Sequence, residues 1–200
     1  TLSASAPSWL TFTPSTGVLT GTPTNDEVGS HSVTITVTDA AGATGSQTFS
    51  ITVANTNDAP SITSTAPTSV DEDSAYSYTV TTSDVDVGDS VSLTGTTIPS
   101  WMAFDAETGV LSGTPSNSDV GSHSVTITAE DDAGATATDT FSITVANTND
   151  APTIDSTAVT SVDEDSVYSY TATGADVDSG DTLTLLSLIH ISEPTRRVRI

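Results

Sequence analysis

Two identical six-residue segments, residues 55–60 and 147–152, combine a proline with side chains that carry oxygen. Each reads Asn-Thr-Asn-Asp-Ala-Pro. Because proline has no backbone donor and favours an extended residue before it, the segment ends a strand and stiffens the chain that follows. Asn and Asp offer the carbonyl and carboxylate oxygens that a hard cation such as calcium prefers. The pattern therefore indicates a calcium-rigidified linker between repeated modules.

The sequence around these linkers repeats with a period of 92 residues. Identical residues recur at this interval, among them the pairs Trp9 and Trp101, His31 and His123, and Asp58 and Asp150. Self-similarity at a domain-sized spacing predicts whole domains in tandem rather than a solenoid of short units. We expect the C-terminal part of one repeat over residues 1–58, a complete repeat over residues 59–150, and the N-terminal part of a third over residues 151–185.

Apolar and polar residues alternate through the complete repeat. Tyr76, Tyr78 and Val80 are separated by small polar residues, and the two longest alternating runs span residues 122–130 and 136–146. About seven short strands in roughly 90 residues, with no amphipathic helical stretch, are typical of a β-sandwich. The sequence therefore predicts an all-β fold.

Charge is distributed very unevenly in this chain of 200 residues, whose formal net charge is -23. Residues 1–185 contain no Lys or Arg but 25 Asp and Glu, and the chain has no cysteine. Such a surface repels nucleic acid and anionic membranes, because nothing can neutralise phosphate groups. We expect no nucleic-acid partner, no disulfide, and no direct membrane insertion, since no apolar run reaches the roughly 18 residues of a membrane span.

The last 15 residues, 186–200, lose the repeat register and contain all three arginines. Their sequence resembles translated sequencing-adapter read-through, so we expect a non-native tail. The alternative is a basic tail that binds nucleic acid or a membrane.

Residues 100–115, from Ser-Trp-Met-Ala-Phe-Asp to Leu-Ser-Gly-Thr-Pro, together with residues 8–23, resemble the signature of putative-Ig and dystroglycan-type cadherin-like repeats. The resemblance covers residues 1–185. It implies Ig-like or cadherin-like Greek-key β-sandwiches in the long tandem arrays of large bacterial secreted or surface proteins, often adhesins. It also implies an extracellular or cell-surface location.

The same resemblance implies Ca²⁺ at the junction between consecutive domains. For the second junction the matching residues are Glu72, Asp73, Asp105, Glu107, Asn149, Asp150, Asp176 and Asp178. For the first junction they are Asn57, Asp58, Asp84, Asp86 and Asp131. Thr13 and Ser15 replace Asp105 and Glu107 in the first copy, so we expect weaker or fewer calcium ions at the first junction.

Simpler explanations exist for several of these residues. Asp and Asn favour turns through local hydrogen bonds, so the acidic residues could be solvated turns. His31 and His123 are expected at strand edges, and Trp9 and Trp101 are expected to pack in or near the core rather than stack on carbohydrate. The sequence contains no Gly-x-Ser-x-Gly motif and no separate pair of acid and base carboxylates, so we expect no enzyme.

The sequence thus favours a calcium-rigidified spacer and adhesive segment of a long extracellular or cell-surface bacterial protein. Its partners would be the neighbouring repeats and a cell-surface or glycan ligand. The alternative is a non-catalytic accessory module of a secreted enzyme that contacts polysaccharide through Trp101 or a Tyr76 and Tyr78 face. A homophilic interaction module is a third interpretation.

Overall fold

The computed structural model describes residues 1–185, and within them it contains strands and two short 3-10 helices but no α-helix. The strands of the first unit are β1 (Leu2–Ser5), β2 (Leu10–Thr13), β3 (Val18–Gly21), β4 (Gly29–Thr38) and β5 (Thr44–Val53). Those of the middle unit are β6 (Ser61–Ile62), β7 (Ser69–Asp71), β8 (Tyr76–Thr79), β9 (Thr82–Ser83), β10 (Ser92–Thr97), β11 (Met102–Asp105), β12 (Val110–Gly113), β13 (Gly121–Glu130) and β14 (Thr136–Ala146). The third unit contributes β15 (Thr153–Ile154) and β16 (Gly174–Ala175). The 3-10 helices span Asn25–Glu27 and Asn117–Asp119. The all-β prediction is confirmed.

The middle unit consists of two main sheets. One has the strand order β10-β13-β14-β7, and the other has the order β11-β12-β8. The long hairpin of β13 and β14 is antiparallel, whereas β7 joins the end of β14 in parallel, with Ser69 opposite Thr144. A further short antiparallel pair joins β6 to β9. The chain therefore crosses between sheets before it completes each one, as Ig-like sandwiches do.

The core lies between these two sheets. Tyr76, Tyr78 and Leu111 come from one sheet and Val125, Ile127 and Ile143 from the other, all buried. They occupy alternate strand positions, so their side chains point to one face while the intervening polar residues point to solvent. Burying each of the aliphatic side chains contributes roughly 1.5–3 kcal/mol relative to exposure. The alternation read in the sequence is thus the inner face of the sandwich.

The first unit repeats the geometry of the middle unit at the same interval as the sequence. The bounds of β2 and β11 differ by 92 residues at both ends, as do those of the two 3-10 helices. The β4–β5 hairpin pairs Val33 with Phe49, just as the β13–β14 hairpin pairs Val125 with Phe141. In the third unit the β15–β16 pair corresponds to β6 and β9.

The expected non-native tail over residues 186–200 lies outside the described residues. Within residues 1–185 no helix is both long and apolar enough to span a lipid bilayer.

Candidate metal centre at the junctions

Glu72 is brought to the second linker by strand pairing. The parallel register of β7 on β14 sets Asp71 opposite Ala146, and the Glu72 N–H then donates to the Ala146 carbonyl at 2.9 Å. The Thr148 N–H in turn donates to Glu72 Oε1 at 2.6 Å. This anchors the carboxylate at the point where the linker leaves the sheet, with the residue only 2% exposed.

The loop after β16 supplies the downstream groups. The Asp150 N–H in the linker donates to Asp178 Oδ2 at 2.7 Å, and the Asp178 N–H donates to Asp176 Oδ1 at 3.0 Å. Carboxylate oxygens of Glu72, Asp150 and Asp178 all lie within 4.8 Å of one another. Two ligands of one calcium ion are at most about 5 Å apart, because each bond is about 2.3–2.6 Å long. These three groups, from two units and the linker, could therefore hold one ion.

The first junction has the same local geometry. The Asp58 N–H donates to Asp86 Oδ2 at 2.7 Å, and the Asp86 N–H donates to Asp84 Oδ1 at 2.9 Å. Asn57 also donates from Nδ2 to Asp131 Oδ2 at 2.9 Å. The Asp131 turn is rigid, because its Oδ1 accepts from the Ala133 and Ala135 N–H groups at 2.9 and 2.8 Å.

The two junctions show complementary parts of one arrangement. The second includes the upstream Glu72, and the first includes the downstream Asp131. In both junctions the linker aspartate N–H donates to the second aspartate of the Asp-x-Asp loop at 2.7 Å. The two sets of residues can therefore be superimposed at the 92-residue interval. The composite has an upstream glutamate, a linker aspartate, two loop aspartates and a turn aspartate.

Buried carboxylate oxygens without partners support a cation at these positions. The four charged residues that are buried within residues 1–185 are Glu72, Asp86, Asp131 and Asp178. Glu72 Oε2, Asp84 Oδ2 and Asp86 Oδ1 are buried with no hydrogen-bond partner in the same range. An ionised group in such a position is costly unless it is paired or coordinates a metal. No Lys or Arg occurs in residues 1–185 to pair with them, so the donor set fits a hard cation such as calcium.

The charges at the junctions also perturb one another. Burial, followed by repulsion from Asp178 and Glu72, raises the pKa of Asp150 above its ordinary value. Burial together with Asp86 and Asp84 raises the pKa of Asp89 in the same way. The hydrogen bond from Asn57 instead lowers the pKa of Asp131. Repulsion among like charges is thus partly uncompensated in the protein alone.

The position of Asp105 and Glu107 corrects the expected ligand set, because the structure does not bring them to this cluster. Both lie in the turn between β11 and β12, where the Glu107 N–H donates to Asp105 Oδ1 at 2.9 Å. β12 pairs with β8 so that Val110, next to this turn, is opposite Thr79. Glu72 precedes the other end of β8, so strand direction separates the turn from the second junction. The contrast with Thr13 and Ser15 therefore gives no structural reason for a weaker first junction.

Two other expected ligands lie beside the cluster. Asp73 adopts a positive φ of 58° and its N–H donates to the Pro115 carbonyl at 2.8 Å. Its charge contributes to the raised pKa of Asp150. Asn149 donates from Nδ2 to the Asp150 carbonyl at 2.8 Å, so its side chain contacts the linker backbone.

The structure adds residues that the sequence reading did not assign. Asp181 forms a three-carboxylate group with Asp176 and Asp178, and Asp89 is its counterpart in the middle unit. The Asp-x-Asp-x-x-Asp pattern, which occurs in both units, is the sequence feature that could have identified Asp89 and Asp181. Asn117, in the second 3-10 helix, donates from Nδ2 to Asp178 Oδ1 at 3.1 Å, so this helix also contacts the junction.

The aromatic residues of the alternative interpretation are engaged in packing. Tyr76 and Tyr78 are buried, so they offer no face to a polysaccharide. Trp101 is half-buried and makes edge contacts with Tyr76 and His123, at centroid distances of 6.3 and 5.9 Å. His123 donates from Nε2 to the Asp119 carbonyl at 2.6 Å, as befits a structural histidine at the start of a strand.

Curated proteins with similar sequence are adhesins of Staphylococcus aureus. The serine-rich adhesin for platelets of Staphylococcus aureus strain MRSA252 is 34% identical over 135 residues, which are 68% of this chain and 10% of that protein. The homologue from strain MSSA476 is also 34% identical over 68% of this chain and 6% of its own length. The chain therefore spans about a tenth or less of the curated relatives it matches.

Solved structures of cadherin domains share the fold. The protocadherin gamma B4 extracellular domain has a TM-score of 0.54 at 18% identity, covering 90% of this chain and 34% of its own. Protocadherin gamma B7 domains 1–4 have a TM-score of 0.53 at 18% identity, with coverages of 90% and 51%. The family model described as Putative Ig domain matches twice, at residues 1–54 and 59–146. The chain belongs to this family, as a tandem array of its Ig-like repeats.

Proposed function

We propose that this chain is a calcium-rigidified structural and adhesive segment of a long cell-surface protein. The observation that carries the proposal is the cluster of buried Glu72, half-buried Asp150 and buried Asp178, whose oxygens lie within 4.8 Å of one another. These residues belong to two successive units and to the linker between them. Any ion that binds all three would restrain the angle between the units.

Calcium, when bound, would supply the positive charge that no Lys or Arg supplies in the first 185 residues. Glu72 and Asp178 would hold it from the two units, and Asp150 from the linker. Asp176 and Asp181, whose carboxylates lie within 4.8 Å of that of Asp178, would add oxygens toward the six to eight that calcium takes. At the first junction the corresponding groups are Asp58, Asp84, Asp86 and Asp131, with Asn57.

The relatives support the wider role. Proteins named as staphylococcal serine-rich adhesins contain sequence similar to this chain, which accounts for 10% or less of their length. A stiff repeat array spaces a ligand-binding region away from the cell surface. We therefore propose a spacer with an adhesive parent protein, located at the cell surface and without catalytic activity of its own.

Calorimetric titration with calcium tests the site directly. The 200-residue chain is expected to bind calcium, and Glu72→Gln is expected to lose the ion or ions of the second junction while keeping those of the first. The matched control is Glu164→Gln, which changes the same sequence context one repeat later, where the residue is exposed. Unchanged stoichiometry and affinity in Glu72→Gln, or no heat of calcium binding in the unmodified chain, would contradict the proposal.

A further inference from the structure

Among residues 1–185, one edge of strand β14 has no hydrogen-bonded partner strand over most of its length. β7 pairs with β14 only from Thr144 to Ala146. The Thr144 N–H donates to the Thr68 carbonyl at 2.9 Å, so its backbone groups point away from β13. Because backbone groups alternate in direction along a strand, those of Thr138, Thr140 and Ser142 point to the same side. No strand among residues 1–185 pairs with them there.

A groove of about 490 Å³ lies beside this open edge. Segment 60–68 forms its far wall, and Ile62, Ala66 and Phe141 give it an apolar lining. Asp139 also lines this groove, and residues 1–185 contain no Lys or Arg that could neutralise its carboxylate. The groove thus combines unpaired backbone groups, an apolar surface and one negative charge.

We propose that this edge and groove bind an extended peptide that carries a basic side chain two residues from an apolar one. An added strand would form main-chain hydrogen bonds to the open edge, and pockets for alternate side chains would give specificity. Asp139 and Phe141 are two residues apart on one strand, so they point to one face. The added strand would therefore direct its basic residue to Asp139 and its apolar residue to Phe141. This binding needs no calcium and goes beyond the proposed function.

Charge selects this partner over a second copy of the chain. A copy would bring a further acidic segment to the groove, since residues 1–185 contain no Lys or Arg. An inward-pointing charge at a sheet edge is a known means of preventing such pairing. The same carboxylate attracts Lys or Arg. The corresponding residue of the first unit is Gln47, which is uncharged, so the charge belongs to the middle unit.

Fluorescence anisotropy with a labelled, end-blocked heptapeptide, Ser-Thr-Val-Thr-Lys-Thr-Ser, tests the inference on the whole chain in chelator. We expect saturable binding that weakens at least tenfold when Glu replaces the peptide's Lys. Two further peptides carry N-methyl groups on the odd or on the even residues. One of them should bind and the other should not, because only one set of N–H groups faces β14. Equal binding of both, or no binding of the unmodified peptide, would overturn the inference.

Charge reversal in the protein gives the matched test. Asp139→Lys should lose at least tenfold in affinity for the Lys peptide and gain affinity for the Glu peptide. The control Glu130→Lys, at an exposed position on neighbouring β13, should change the affinity for either peptide by no more than a small factor. Asp139→Asn is followed by sedimentation as well. If it self-associates while the unmodified chain binds no peptide, Asp139 only protects the edge and the inference fails.

Discussion

The buried carboxylate of Glu72 should destabilise the folded protein without calcium and stabilise it when calcium is bound. It is 2% exposed, and its Oε2 has no partner among the described residues. Leaving a buried charged group unsatisfied costs about 1–3 kcal/mol or more. We expect Glu72→Gln to raise the melting temperature of the chain in chelator and to lower it in millimolar calcium. Thermal unfolding by circular dichroism under both conditions measures this, with Glu164→Gln as the control. A change of the same sign in both conditions would contradict a role in cation binding.

Asp150 makes the calcium-free protein sensitive to pH. Its pKa is raised by burial and by Asp178 and Glu72, so ionisation disfavours the folded state. Protonation relieves this as pH falls from neutral toward the ordinary aspartate pKa of about 3.9. Asp131 has the opposite effect. Its lowered pKa means that its ionised form stabilises the folded state, and this stabilisation is lost only when the pH falls below the ordinary aspartate value. The melting temperature in chelator should therefore rise as the pH is lowered from 7 through the raised pKa of Asp150.

Asp150→Asn should reduce this rise in melting temperature. The control Asp163→Asn, at an exposed position, should leave it unchanged. A melting temperature that falls steadily from pH 7 in the unmodified chain would argue against repulsion at the junction.

The sequence predicted which types of residue form the site, but it predicted less well which of them lie together in space. Glu72, Asp150 and Asp178 were expected together and lie together, because β7 pairing and the linker fix them locally. Asp105 and Glu107 were expected with them and lie elsewhere. Their position depends on the direction of β12 relative to β8, which is a long-range pairing that no local pattern encodes.

At the scale of elements, the β11–β12 hairpin depends on a glycine. A Cβ at Gly113 would lie 2.2 Å from the Trp101 carbonyl oxygen, and one at Gly21 would lie 2.1 Å from that of Trp9. Neither backbone can give way freely, because each glycine is paired in register within its hairpin. Gly113→Ala and Gly21→Ala should each destabilise the protein by about 1–3 kcal/mol.

Gly45 is the matched control for these two substitutions. Its added Cβ would meet only Val37 Cγ1 at 3.5 Å, an ordinary contact. Urea unfolding should show little change for Gly45→Ala. Equal effects of Gly45→Ala and Gly113→Ala would show that the close approach of the Trp101 carbonyl does not decide the cost.

The long strands could be predicted from the sequence, as could the four-residue β8 with its alternating Tyr76 and Tyr78, but the two-residue strands could not. Residues 122–130 and 136–146 were expected as strands and coincide with β13 and β14 to within one residue. Alternation is strong there because one face is buried over ten or eleven residues. β6 and β9 have two residues each, too few for any period, and they exist because antiparallel pairing joins Ile62 to Thr82.

At the scale of the whole molecule, the buried charges of the described residues lie where the units meet. All four buried charged residues of the described chain, Glu72, Asp86, Asp131 and Asp178, are at a junction. Without calcium, repulsion among them should loosen the hinges. Small-angle scattering of the 200-residue chain at about 0.15 M salt should therefore show a narrower distribution of dimensions when about 1 mM calcium is added.

Salt distinguishes bridging by an ion from simple screening. The Debye length is about 8 Å at 0.15 M ionic strength and about 3 Å at 1 M. The clustered oxygens lie within 4.8 Å, so only the higher concentration weakens their repulsion appreciably. Sodium chloride at about 1 M should relieve the repulsion yet leave the hinges flexible, because a monovalent atmosphere joins no carboxylate of one unit to one of the next. If 1 M salt alone reproduced the scattering change caused by calcium, screening would suffice and the junctions would not be calcium bridges.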